Sequence, residues 1–159
     1  MKSIKNLALM AFMLFSVASY AQLSTPQPSP TATISQKVGL TDVSVTYSRP
    51  GMKGRAVFGE LVPFGKIWRT GANKATAITF STDVTFGGKE VKAGTYSVFT
   101  IPGKSEWTVI LNSNTELWGA GGYEESKDVI RITLNSTVLK DQAETFTMDF
   151  SNLDGANGY

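Results

Sequence analysis

The chain has 159 residues, with 15 lysines and arginines against 13 aspartates and glutamates, and it contains neither cysteine nor histidine. Without those two side chains it can form no disulfide, no histidine- or cysteine-dependent nucleophile system and no ordinary zinc site. The excess of positive charge comes from the first 21 residues, which hold two lysines and no acid, so the remainder balances at 13 cations and 13 acids and does not predict a nucleic-acid partner.

Lys2 and Lys5 precede an apolar run over 7–17, and Ser19 and Ala21 put small residues where a signal peptidase reads. The predicted cut falls between Ala21 and Gln22. The run is shorter than the ~20 residues a spanning helix needs, and no cysteine follows it to take a lipid. The sequence therefore predicts a periplasmic or secreted protein, not a lipoprotein, with no membrane span in the mature chain. Residues 22–30 carry Pro26, Pro28 and Pro30 among Ser, Thr and Gln, the composition of an extended linker. Residues 31–159 suffice for a single domain with a core of ordinary size.

Short strands then dominate. Residues 33–38 and then 43–47 are the first two, the latter with Val43, Val45 and Tyr47 on one face. Arg49-Pro50-Gly51 ends the second, because proline cannot donate to a ladder and glycine supplies a turn. After an irregular stretch over 48–75, residues 75–80 bring Ile78 and Phe80 to one face. Residues 84–86 then lead into Gly87-Gly88, a two-residue hairpin signal because the favoured turns need positive φ. Val91 starts the return. Residues 95–101 and 107–111 flank Pro102-Gly103, and the second of these is apolar enough for a central strand buried on both faces. A second irregular stretch, 112–127, gives way to strands over 128–134 and 145–150, the latter with Phe146, Met148 and Phe150 on one face. No window has helical spacing and no segment repeats. Short strands with Gly and Pro punctuation and no βαβ alternation predict an all-β domain, an antiparallel β-sandwich or jelly-roll-like barrel with one long ordered loop.

That loop, 48–75, is the candidate site. It exceeds the ~12–15 residues beyond which loops in compact domains are usually functional or disordered. Phe58, Leu61, Val62 and Phe64 argue for order, because large apolar groups seek cover. Six cations (Arg49, Lys53, Arg55, Lys66, Arg69, Lys74) stand against one acid, Glu60. The loop is expected to pack down as a lid, with Arg49, Lys53, Arg55 and Arg69 converging on a carboxylate, sulfate or phosphate. The competing expectation is that these side chains lie over apolar surface and pair with acids from the rest of the chain.

Trp68 is expected in the core, leaving Ile67 and Arg69 on the opposite face, with a sugar-stacking role for Trp68 as the alternative. Trp118 and Tyr123, in the second irregular stretch, are the better stacking candidates. The candidate ligand-binding set is therefore Arg49, Lys53, Arg55, Arg69, Asn73, Trp118 and Tyr123, with no catalytic residue, metal set or cofactor assigned. Carboxylates are the remaining acid/base groups. Glu60 with Glu116, Glu124 or Glu125 is the pairing a glycosidase could use, at a separation of ~5 Å or ~6.5–9.5 Å. Three classes remain open: a non-enzymatic binding or accessory module for an anionic small molecule or saccharide, a carboxylate-dependent carbohydrate-active enzyme, and a structural envelope protein without a cleft.

Several short motifs occur in a fixed order: Arg49-Pro50, Lys53-Gly54-Arg55, Phe58-Gly59, Leu61-Val62-Pro63, Gly65, Trp68-Arg69-Thr70-Gly71-Ala72-Asn73, Ala93-Gly94-Thr95-Tyr96-Ser97 and Ile101-Pro102-Gly103. Over 35–150 the chain resembles the DUF2911 family of bacterial exported proteins. The resemblance implies an exported domain of unknown function and supplies no catalytic residues. Family members continue with a further apolar strand after the counterpart of 145–150, so it also implies a chain incomplete at its C-terminal end.

Overall fold

The computed structural model describes residues 25–153. The expected signal peptide, the first residues of the linker and residues 154–159 lie outside the described residues. Among the described residues there are eight strands: β1 (Thr31–Val38), β2 (Thr41–Ser48), β3 (Thr76–Phe80), β4 (Val84–Phe86), β5 (Lys89–Val91), β6 (Gly94–Ile101), β7 (Glu106–Asn112) and β8 (Asp128–Asn135). Six of them form one antiparallel sheet in the order β1-β2-β3-β6-β7-β8, and β4 and β5 pair separately. The fold is all-β, and the main sheet is open, with β1 and β8 as its edges, so it is not a closed barrel.

Alternation along each strand separates two apolar layers. Val43, Val45 and Tyr47 of β2, Ile78 and Phe80 of β3, Val98 of β6, Leu111 of β7 and Ile130 of β8 form the larger one. The β4–β5 hairpin covers it with Val84, Phe86 and Val91. Gly87 and Gly88, at φ 56° and 80°, make the hairpin turn between Phe86 and its partner Lys89, a pair of positive values that residues with a Cβ adopt only under strain. The second layer, on the opposite face, gathers Ala75, Phe99 and Ile110 beneath Ile67, Leu117, Ala120 and Tyr123. Ile110 and Leu111 are adjacent and both fully buried, so β7 is enclosed on both faces at this end, as its apolar run predicts.

Residues 145–150 depart from expectation. They are not a strand of the sheet; Thr145 makes an isolated bridge to Gly51, and the Phe146 N–H donates to Pro50 O at 3.0 Å. Phe146, Met148 and Phe150 nevertheless pack against the larger layer. The period-two pattern reported one-sided burial, which a segment lying on a sheet face needs as much as a strand within the sheet. The Tyr47 hydroxyl fixes this segment, donating to Met148 O at 3.3 Å and accepting from Met148 N at 3.0 Å.

Candidate functional site

The chain leaves β2 at Ser48 and rejoins the sheet at Thr76, and backbone hydrogen bonds order much of the chain between them. Gly59 N–H to Val62 O (2.9 Å) and Val62 N–H to Val57 O (2.8 Å) fold residues 57–62 into a compact knob. The Gly65 N–H pins it to Pro102 O in the β6–β7 turn at 2.8 Å. Phe64 lies on Gly59, where a Cβ would sit 2.8 Å from the ring and φ is +95°, so glycine is needed twice over.

Trp68 lies in the core, as expected. It bridges Thr100 of β6, and its indole N–H donates to Gly71 O at 3.0 Å. Its ring meets Phe58 (5.7 Å between centroids), Trp107 (6.3 Å) and Phe146 (5.3 Å), all edge-on. This aromatic cluster joins the loop, β7 and the C-terminal segment. Cover for the knob is incomplete, however: Phe58, Leu61 and Phe64 remain 42%, 54% and 39% exposed. The expectation that these groups would find cover fails for a steric reason, since a knob this short encloses little and only the inward side of Phe58 reaches the cluster.

Each candidate cation has a definite environment. Arg49 is half-buried, its Nε donating to Phe146 O at 3.2 Å and its Nη2 to Thr147 Oγ1 at 2.9 Å. Arg55 is exposed and reaches back to Met52 O (Nε, 3.0 Å) and Gly51 O (Nη2, 2.9 Å). Lys53, at φ 50°, uses its backbone N–H on Glu144 Oε1 at 2.9 Å. Arg69 is half-buried, and its Nε is enclosed without a hydrogen-bond partner. Arg49, Arg55 and Arg69 share no hydrogen-bond partner among the described residues. Lys74 alone of the six loop cations makes an ion pair there, with Glu116 Oε2 at 3.2 Å. The remaining ion pairs among the described residues lie elsewhere: Lys37–Asp42, Lys92–Asp83, Lys127–Glu124, and Arg131 with Glu125 and Asp128.

Asn73, at φ 58°, ties the linker to the loop, its amide donating to Ser29 O at 3.2 Å and to Gln27 Oε1 and Ser48 Oγ, each at 3.3 Å. Trp118 is 72% exposed, which leaves its ring open for stacking. Tyr123 packs against Phe99 (5.1 Å) and donates its hydroxyl to Asp128 Oδ2 at 2.6 Å while accepting from Arg131 Nη2 at 3.2 Å. Burial first, and the Asp128 carboxylate second, push its pKa up to about 12. Asn112, fully buried, completes this network by donating to Asp128 Oδ1 at 2.8 Å and to Glu124 O at 3.0 Å. Sequence reasoning missed Asn112, Asp128 and Arg131. Asn112 and Asp128 pair across the β7–β8 register at an irregularity between Leu111 and Asn112, which has no local signature, and Arg131 stands on β8 opposite Ile110. Glu116, Glu124 and Glu125 each hold a cation.

A depression of about 310 Å³ on the outer face of β1–β3, beside Ser35, Ser44 and Thr79, is lined by none of the seven candidate residues. No curated protein and no solved structure matches the chain. Residues 29–158 match the family described as a protein of unknown function, DUF2911, and the chain belongs to that family.

Proposed function

We propose that this is an exported, non-enzymatic binding module that holds an anionic ligand, a carboxylate, sulfate, phosphate or uronate-bearing saccharide, on its 49–69 loop. The observation that carries the reading is that the charged groups of Arg49, Lys53, Arg55, Lys66 and Arg69 make no ion pair among the described residues, although Asp42, Asp83, Glu124, Glu125 and Asp128 hold cations elsewhere. Neutral carbonyls hold Arg49 and Arg55 in place without cancelling their charge. Side chains fixed in this way lose less entropy when an anion arrives.

An arginine making a charge-assisted contact contributes about 1.5–3 kcal/mol, so alanine at one such position is expected to weaken the ligand roughly tenfold or more. A thermal-shift screen of sulfate, phosphate and uronates against chloride at matched ionic strength tests this. The quantity to compare is the anion-induced increment in Tm for the parent and for Arg49→Ala, Arg55→Ala and Arg69→Ala, because Arg49 also supports the fold. If no anion stabilises the parent, the reading is wrong.

Export has a separate test. The charged start, the short apolar run and the small residues before Gln22 support cleavage after Ala21. Mass spectrometry of the native protein is expected to find Gln22 at the amino terminus, and a mature chain that keeps Met1 would refute it.

A further inference from the structure

Three large apolar side chains within seven residues stay substantially exposed at the knob: Phe58, Leu61 and Phe64. Large apolar groups left exposed this close together in a short ordered segment mark a contact with something less polar than water. Leu61 belongs to neither apolar layer, so its exposure serves no internal packing. The side chains that bracket the knob in the chain, Lys53 and Arg55 before it and Lys66 after it, are exposed and make no ion pair among the described residues, the Glu144 carboxylate reaching Lys53 only at its backbone N–H. Glu60, also exposed, is the single acid between them.

We propose that the knob docks on an anionic phospholipid bilayer, Leu61 and Phe64 entering the headgroup boundary while Lys53, Arg55 and Lys66 contact lipid phosphates. The inference rests on the anion-binding reading above and names the form in which the anion is presented. Apolar residues flanked by cations are the combination that interfacial binding requires, because burial of the first and attraction of the second add. Charge also argues against a second copy as the occupant. A two-fold contact through this patch would bring the unpaired cations of both copies together, and like charges in contact are destabilising. The backbone bonds within 57–62 and from Gly65 to Pro102 hold the apolar groups out in advance, so docking orders little new chain.

Sedimentation with phosphatidylcholine vesicles, with and without phosphatidylglycerol, tests the proposal on the protein as the cell processes it, with soluble glycerol phosphate as the headgroup alone. Binding is expected only to the phosphatidylglycerol vesicles and is expected to weaken with salt. Leu61→Ser should weaken it roughly tenfold through lost apolar burial, and Lys53→Gln roughly fivefold through lost charge. Leu61→Trp should tighten it, since indoles favour the interface. Equal binding by the parent and a folded Leu61→Ser would overturn the proposal, as would stabilisation by glycerol phosphate without any vesicle binding, which would leave the anion site standing. Failure of both probes would remove both readings. A concentration-dependent dimer that Leu61→Ser splits, with no vesicle binding, would assign the patch to self-association instead.

Discussion

Replacing Trp68 by alanine is expected to lower the free energy of unfolding by about 3–5 kcal/mol, the range for deleting a large buried aromatic. Trp68 is 7% exposed and joins three elements that the backbone ladder leaves apart: the knob through Phe58, β7 through Trp107 and the C-terminal segment through Phe146. Its indole N–H also satisfies the buried Gly71 carbonyl. That glycine cannot adapt in its place, because φ there is +149° and a Cβ would stand 2.9 Å from Ser48 O. Urea unfolding measures the loss, and Phe58→Ala, at a ring already 42% exposed, should cost clearly less. Equal midpoints for the two variants would show that the cluster is not organised around Trp68.

Asp128→Ala should be the next most damaging change, because two hydrogen-bond donors, Asn112 and Tyr123, and the Arg131 guanidinium converge on one carboxylate whose side chain is 8% exposed. Tyr123 and Arg131 can turn toward water, but Asn112 is fully buried and its Nδ2 would keep only Glu124 O as an acceptor. Stranding such a donor costs about 1–3 kcal/mol. The second irregular stretch would loosen with it, so faster proteolysis near residues 113–127 should accompany the loss. The same network sets an alkaline limit. Tyr123 in the folded protein keeps its proton to about 12, while in the unfolded chain it ionises near its ordinary value of 10.0. The folded state thus binds more protons across that window, and stability must fall as pH rises through it. Melting curves between those two pH values should descend more steeply for the parent than for Tyr123→Phe, and parallel curves would rule this out.

Much of the scaffold was legible because burial on one face writes itself into alternate positions. Val43, Val45 and Tyr47 in β2 and the Gly87-Gly88 turn needed no tertiary knowledge. Residues 145–150 carried the same signal and belong to no ladder, since alternation records which side chains are covered and is silent about which backbone bonds are made. Position of charge was legible in the 48–75 loop, but partnership was not. Arg49 finds Phe146 O, 97 residues away in the chain, and a carbonyl has no residue type by which a sequence could advertise it. Tyr123 shows the converse. Its place in a glycine-rich stretch suggested an open ring, whereas Phe99 on β6 and Asp128 on β8 claim its face and its hydroxyl.

The Tyr47–Met148 pair constrains the order in which the protein can become itself. The two residues are 101 positions apart, and the wall that Phe146, Met148 and Phe150 add to the larger apolar layer arrives only after the rest of the described chain. Loop closure over such a separation is slow relative to local pairing, so the sheet spends the interval with Tyr47 and its neighbours open on one side. Until residues 146–150 arrive, the larger layer is a surface that other apolar groups could occupy, and Tyr47→Phe, which removes the hydroxyl that fixes Met148, should lengthen that exposure.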